Sequence, residues 1–392
     1  MTEVSMVMAA SGQMHAGTSL LHGWLPSAIY VVSVLVLLAA IGFRPSRWFA
    51  TWGVAVAAVG IAIALIARWY SNSQGMTGDE PAPLSLWLWI GIAGTACAVA
   101  LLGWRRVGWT RRGLAVLAIP LCIASAAVSL NQWVGYFSTA QMAWSQVTDG
   151  PLPDHTDMST ALTMRSHHDV PTHGELVAIT SPSTASRFHH RTEYVYLPPA
   201  WFASTTVSLP AVMMIGGEFS TPADWPRVGD AIGIIDRFAE AHAGNAPVFV
   251  FADTGDSFTT DTECVDGPRG NVADHLTEDL PAYVESTFGV SRNPDNWGVV
   301  GWSMGGTCAV DVTVMNPDLF HSFVDIAGDI GPNAGTKQQT IDRLYAGNAA
   351  QWNRFDPRTV MRAHGPYTVS RAGSRSQRTP HRRRTPPQRA VV

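Results

Sequence analysis

Four stretches of about twenty residues, none holding a charged side chain, fix most of what the first third of this chain can become. They run Leu25–Phe43, Phe49–Ala67, Leu84–Trp104 and Leu114–Val134. The hydrocarbon core of a bilayer takes about 20 helical residues to cross. Trp24, Trp48, Trp69, Trp104, Trp109 and Trp133 stand at the ends of these stretches, where an interfacial aromatic belt places its rings. Residues 1–137 are therefore expected to form a four-helix transmembrane segment in a lipid bilayer, with helices over 25–43, 49–67, 84–104 and 114–134. The first stretch does not read as a cleaved leader. It starts late, lacks a basic flank and is followed by three more spans.

Loop charges give an orientation. Arg44 and Arg47 lie between the first two spans, and Arg105, Arg106, Arg111 and Arg112 between the last two. The middle loop sets Arg68 against Asp79 and Glu80, and no basic residue follows the fourth span until Arg165. By the excess of arginine on the cytoplasmic side, both arginine loops face inward. The N-terminus and everything beyond residue 137 then lie outside, as part of a multi-pass protein of the cell membrane.

The remainder reads differently. Residues 138–173 are polar and proline-bearing, the pattern of a tether. Apolar runs at Glu175–Ser181, Glu193–Leu197, Ala211–Ile215, Val248–Ala252, Trp297–Gly301 and Ser322–Ala327 have strand character, and the last four alternate with helical patterns around Asp230–Ala241, Val272–Phe288 and Gly306–Met315. Alternating strands and helices predict an α/β fold with a doubly wound, mostly parallel sheet over 174–367. Ligand crevices of such sheets open at the carboxyl ends of the strands.

At one of those ends stands Gly301-Trp302-Ser303-Met304-Gly305, between the apolar run Trp297–Val300 and a small-residue helix closed by Asn316-Pro317. Strand, sharp turn, helix is the setting of a nucleophile elbow. Gly301 and Gly305 permit the turn, Ser303 is the candidate nucleophile, and the Met304 N–H is a candidate oxyanion donor. A second donor is expected after an earlier central strand. Gly216-Gly217 ends one, Gly217 lets the backbone approach, and the N–H of Glu218 is the candidate.

Other chemistries find less support. The histidines and cysteines show no metal-ligand spacing, no cofactor motif is present, and the pairs His167-His168 and His189-His190 read as solvated. The acidic stretch Asp253–Asp266 fits no calcium loop and reads as solvated cover over the crevice. The net charge of −4 conceals a basic tail: removing the seven arginines of Thr368–Val392 leaves −11, so no nucleic-acid partner is expected. Cys97 and Cys122 lie in apolar stretches, whereas Cys264 and Cys308 lie in the soluble part, where a disulfide is open outside the cytoplasm. Oligomeric state is not legible.

The region 174–367 resembles the esterase D and antigen 85 group of α/β-hydrolase esterases, which includes mycolyltransferases. The resemblance is carried by Tyr194-Val195-Tyr196-Leu197-Pro198-Pro199, Val212–Gly217, His275–Pro281, the elbow with Asn316-Pro317, and Trp352 with Asp356-Pro357. It implies the α/β-hydrolase fold and acyl chemistry on an ester or acyl-lipid substrate. Gly216 and Phe219 stand where the mycolyltransferases place an aspartate and an arginine, which speaks against that particular transfer.

The resemblance also implies two further strands, followed by an acid and a histidine, after Asp356-Pro357. Beyond Tyr367 the sequence is rich in Ser, Arg, Pro and Thr without apolar periodicity. The expectation is thus a C-terminally incomplete hydrolase region and a disordered basic tail over 368–392. Asp329, His364 and His381 are the available substitutes for acid and base. Two functions stay open: a membrane-anchored extracytoplasmic serine esterase or acyltransferase working through a Ser303 acyl-enzyme, or an incompetent or truncated esterase-family envelope protein.

Overall fold

The computed structural model describes residues 17–42, 52–74, 81–103, 107–148, 152, 154–257, 260–367 and 371–375. The chain divides into two compact units, one built on Met1–Pro153 with Pro226–Ala231 and Asn333–Arg343, the other on Asp154–Trp225, Ile232–Pro332 and Leu344–Val392.

The first unit holds four long apolar helices: α1 (Trp24–Ile41), α2 (Val54–Gln74), α3 (Leu84–Gly103) and α4 (Trp109–Val134). All four are long and apolar enough to cross a membrane. Helix α2 runs seven residues past the expected end at Ala67, because no glycine or proline follows until Gly75 and a formed helix extends cheaply through polar residues. Helix α4 likewise starts five residues early, with Arg112 stacked on Trp109 at 4.9 Å.

Outward faces of this unit are apolar, with Leu35, Leu65, Leu88 and Leu101 all exposed. Polar atoms turn inward instead. The buried Ser33 hydroxyl donates to the Leu121 carbonyl at 3.0 Å and lies 2.8 Å from the Ser125 hydroxyl, linking α1 to α4. Gly60 meets Gly91 so closely that a Cβ there would lie 2.5 Å from the Gly91 carbonyl oxygen. Close small-residue contact and buried hydroxyl bonds are how helices associate where no water drives them together.

The second unit is an eight-stranded sheet flanked by helices. Its strands are β1 (His155–Thr156), β2 (Glu175–Ile179), β3 (Glu193–Leu197), β4 (Ala211–Ile215), β5 (Val248–Ala252), β8 (Trp297–Trp302), β9 (Ser322–Ile326) and β10 (Arg371–Arg375); β6 (Asp266–Gly267) and β7 (Gly270–Asn271) make a separate small hairpin. The spatial order is β1-β2-β3-β5-β4-β8-β9-β10. Strands β5, β4, β8, β9 and β10 run parallel, whereas β3 is antiparallel to both its neighbours. Strands β4 and β5 are nearly continuous apolar runs because helices cover both faces of a parallel sheet.

The remaining helices of the chain are α5 (Ala140–Val147), α6 (Met158–His167), α7 (Pro199–Ala203), α8 (Asp224–Arg227), α9 (Ala231–Ala241), α10 (Val272–Asp274), α11 (Leu280–Phe288), α12 (Met304–Met315), α13 (Lys337–Tyr345), α14 (Ala349–Phe355) and α15 (Pro357–His364), of which α5 and most of α13 fall in the first unit. Trp201, Phe202, Phe288, Trp297 and Phe320 are buried in the core of the second unit. Each contributes about 2–3 kcal/mol of apolar burial. The two indoles also find acceptors: Trp201 Nε1 donates to the Phe288 carbonyl at 2.7 Å and Trp297 Nε1 to the Ser291 carbonyl at 2.6 Å.

Two expectations change. Residues 138–173 carry α5, β1 and α6 in place of a tether, and Ala161 of α6 is fully buried in the core. The reason is local capping. Thr139 accepts from the Met142 N–H, and the Asp157 carboxylate accepts from the Ser159 hydroxyl and from the Thr160 hydroxyl and N–H, which hold its carboxyl far below the usual range. Second, residues 371–375 form strand β10 alongside β9, Arg371 facing Ser322 and Arg375 facing Ile326. A parallel ladder is made by backbone N–H and C=O groups, so an edge strand can form from Arg, Ala, Gly and Ser without apolar periodicity. Residues 368–370 and 376–392 lie outside the described residues.

Candidate active site

Strand β8 delivers the chain to Ser303, and α12 begins at the next residue. Ser303 has φ 56° and ψ −122°, a left-handed conformation that costs a non-glycine residue about 1–3 kcal/mol unless its surroundings enforce it. Here they do. The Ser303 N–H donates to the Ile326 carbonyl at 2.9 Å, and its own carbonyl accepts from the Gly306 and Thr307 N–H groups at 2.8 and 3.2 Å. A Cβ on Gly301 would stand 1.7 Å from the Gly305 carbonyl oxygen, and one on Gly305 2.3 Å from that of Ile215. Both motif glycines are thus required by contact with backbone.

The neighbouring strand β4 ends in Gly216-Gly217 against this turn. A Cβ on Gly217 would lie 3.2 Å from that of Ser303. The loop then closes on itself through the Ser220 N–H and the Gly217 carbonyl at 3.2 Å, with Phe219 at φ 62°. Sequence expectation put the N–H of Glu218 here, and Met304 at the start of α12; the fold brings both to one corner with Ser303. The Met304 N–H belongs to the first turn of a helix, where amides have no acceptor within the helix and the dipole favours negative charge.

The acidic loop over this corner is held rather than solvated. Cys264 is disulfide-bonded to Cys308, on the second turn of α12, with a Cα–Cα distance of 5.5 Å. Arg269 pairs with Asp261 at 3.4 Å. Burial, then Asp261, pushes the Glu218 carboxyl up to about 7, with Arg269 working the other way. Burial pushes Asp266 up to about 6.

The substitutes for acid and base separate. Asp329 follows β9, and its N–H donates to the Thr307 hydroxyl at 2.9 Å, one helical turn from Ser303. His364 goes elsewhere. Its ring stacks on Tyr367 at 4.2 Å, and the Tyr367 hydroxyl donates to the Val314 carbonyl at 2.8 Å. Val314 is eleven residues along α12 from Ser303, about 16 Å at the helical rise, so the expected role of His364 is corrected: it sits by the opposite end of the helix. His381 lies outside the described residues.

One polar cluster escaped sequence reading. His190, read as solvated, has its side chain 3% exposed and packs face to face on His275, with ring centroids 4.6 Å apart. Burial works against charge on His190, but Glu193 and the carbonyls of Arg191 and Ser181 outweigh it and hold its pKa above the ordinary value. The buried Glu193 carboxylate accepts from His275 Nε2 at 3.0 Å, the Ser181 hydroxyl at 2.8 Å and the Asp253 N–H at 3.0 Å. Adjacent histidines on an irregular stretch carry no periodic signal, so the sequence offered no way to find this. His190, Glu193 and His275 are of metal-ligating type and lie together, and His275 Nδ1 is buried without a hydrogen-bond partner among the described residues. The cluster stands at β3, three strands from β8, about 14 Å at the inter-strand spacing, and so does not supply a base to Ser303.

A protein of Corynebacterium glutamicum, the uncharacterized Cgl0967/cg1104, is 27% identical over 346 residues, 84% of this chain and 78% of that one. A match of that extent cannot be contained in residues 154–392, so it also runs through part of the apolar segment. Solved structures with a similar fold include an S-formylglutathione hydrolase from Agrobacterium tumefaciens (18% identity, 53% of this chain and 87% of that one, TM-score 0.41). MPT51 (FbpC1) of Mycobacterium tuberculosis is another (17% identity, 51% and 74%, TM-score 0.34). The family described as "Putative esterase" matches residues 185–381. That is half of the chain and includes the elbow, and the protein belongs to this esterase family.

Proposed function

We propose that this protein is a membrane-anchored serine esterase or acyltransferase whose catalytic region faces outward. Ser303 attacks the ester carbonyl, its hydroxyl proton passing to the base and from there to the alcohol as it leaves. The acyl group stays on the Ser303 oxygen until water or a second alcohol takes it. The N–H groups of Met304 and Glu218 hold the oxyanion of each tetrahedral intermediate, and Asp329 is the acid. The observation that carries the reading is the strained Ser303 turn, with Gly217 placed against it. Four apolar helices flanked by arginine loops support anchoring with that orientation, and the Cys264–Cys308 disulfide suits an oxidising compartment.

One observation favours a second reading, an esterase-fold envelope protein without turnover. Among the described residues, His364 and the His190–His275 pair both lie more than a helical turn or a strand away from Ser303, which leaves His381 as the base in the first reading. Labelling of the full-length protein in membranes with a fluorophosphonate probe decides between them. Covalent labelling lost in Ser303→Ala, together with turnover of a short-chain p-nitrophenyl ester lost in His381→Ala, supports the enzyme. An unlabelled wild-type protein overturns it.

A further inference from the structure

The loop that carries the proposed second oxyanion donor is anchored at its far end by one side chain from another strand's approach. Arg191, two residues before β3, donates through Nη2 to the Ser220 carbonyl at 2.9 Å. The same guanidinium grips Asp253 at the end of β5, with Nη2 to Oδ1 at 2.6 Å and Nε to Oδ2 at 3.2 Å. The Arg191 N–H donates to Asp253 Oδ2 at 2.7 Å. Asp253 is only 1% exposed, so this is a charge pair drawn largely out of water, where geometry is held tightly.

Beneath it lies the buried cluster. The Arg191 carbonyl is 2.8 Å from His190 Nδ1, and the Asp253 N–H donates to Glu193. Arginine and aspartate are therefore fixed by both main chain and side chain, and the guanidinium is the point where this dry network reaches the Gly216–Ser220 loop. Within the loop, the Ser220 N–H returns to the Gly217 carbonyl, and a Cβ on Gly216 would meet that of Ser220 at 2.8 Å. A turn closed so tightly moves as a unit, so holding the Ser220 carbonyl also fixes where the Glu218 N–H points.

We infer that Arg191 is a positioning residue for the oxyanion hole, acting through the Ser220 carbonyl on the Glu218 N–H with Asp253 as its fixed partner. This rests on the reading of Ser303 as nucleophile and Glu218 as donor. Lysine cannot replace arginine here, because a single ammonium cannot span Asp253 and the Ser220 carbonyl in the plane a guanidinium provides.

The test compares Arg191→Ala and Arg191→Lys with wild type in the full-length, membrane-reconstituted protein, by p-nitrophenyl butyrate kinetics and the rate of fluorophosphonate labelling at Ser303. Arg191→Ala is expected to lower kcat and the labelling rate by about ten- to a hundredfold, the scale of a misplaced oxyanion donor, with KM within about twofold. Added methylguanidinium should restore part of the loss. Unchanged kcat, or a rise in KM alone, overturns the inference. Should Arg191→Ala fail to fold, Arg191→Lys carries the test: kcat must fall while the melting temperature and the Cys264–Cys308 disulfide stay as in wild type, and wild-type kcat in that variant refutes it. A wild-type protein with neither labelling nor turnover removes the nucleophile reading itself, and this inference with it.

Discussion

The backbone of Gly217 packs against Ser303 so closely that a methyl group at 217 would stand 3.2 Å from the Ser303 Cβ and 2.8 Å from the Trp302 ring. Both contacts are tighter than ordinary van der Waals separation, so Gly217→Ala must push the loop off the elbow by a few tenths of an ångström. The Glu218 N–H is the next donor along and would move with it. Turnover should fall about a hundredfold, while stability falls by only about 1–2 kcal/mol, the scale of mild overpacking. Steady-state kinetics beside thermal melts measure the split, and wild-type turnover in Gly217→Ala would remove Glu218 from the oxyanion hole.

Glu218 also makes a pH prediction. Its carboxyl is raised to about 7 in the fold, first by burial and then by Asp261, against about 4.3 for an unfolded chain. Between those values the folded state keeps a proton that the unfolded state has released. Stability therefore falls as pH rises through that window and levels off above it. Glu218→Gln should flatten the slope between pH 4.5 and 7 and stabilise the protein at pH 7 by about 1–2 kcal/mol, less than full conversion because the group is only partly withdrawn from water. Asp266, raised to about 6, adds a slope of the same sign over a narrower range, so some slope persists. Urea titrations at several pH values give the comparison, and a Glu218→Gln slope equal to wild type would contradict it.

The sharp turn at Ser303, the glycine loop against it and the four apolar helices were legible because each is written locally. Gly301, Gly305 and Gly217 answer contacts within a few residues or to the adjacent strand, and uncharged runs of about twenty residues have few other uses. What stayed hidden depends on distant partners. Glu193 meets His275 across 82 residues, and His190 stacks on the same ring, with nothing in their spacing to announce it. Residues 138–173 looked like a tether because their polarity outweighed the caps at Thr139 and Asp157. Strand β10 was missed because an edge strand is fixed by backbone pairing to β9, which side-chain pattern does not report.

Asp311, on α12, is 2% exposed, and neither carboxylate oxygen has a hydrogen-bond partner among the described residues. Burial, then Asp356, raises its pKa well above the usual carboxylate value, which favours the neutral acid in the fold. The folded state then holds a proton to higher pH than the unfolded chain does, and stability falls as pH rises above the ordinary carboxylate range. Asp311→Asn, of the same shape and without the titration, should raise stability at pH 7 by about 1–3 kcal/mol. A variant that melts below wild type at pH 7 would mean that the carboxylate has a stabilising role instead.

The Cys264–Cys308 bond closes a loop of 44 residues and ties the acidic cover to the helix behind Ser303. A cross-link of that span restricts the unfolded chain by about 4 kcal/mol on loop-closure grounds, with 2–4 kcal/mol usual in practice. Cys308→Ser should lower the denaturation midpoint accordingly, and reductant should lower it in wild type but not in the variant. Because the bond sits one and a half turns from Ser303, ester turnover should fall with it even where the protein remains folded. Equal stability of wild type and Cys308→Ser under oxidising conditions would show that the cysteines do not pair.

Orientation is the most direct prediction to check. Arg105, Arg106, Arg111 and Arg112 lie around the connection between α3 and α4, and the excess of arginine places that side in the cytoplasm. Gly108, exposed in that connection with open space around its Cα, should then face inward, and Thr148, exposed after α5, outward. In a background of Cys97→Ala and Cys122→Ala, with Cys264 and Cys308 held in their disulfide, Thr148→Cys should react with a membrane-impermeant maleimide on intact cells. Gly108→Cys should react only after permeabilisation. The opposite pattern would put the catalytic region in the cytoplasm. There the Cys264–Cys308 bond would meet a reducing pool, and the case for an envelope substrate would be lost.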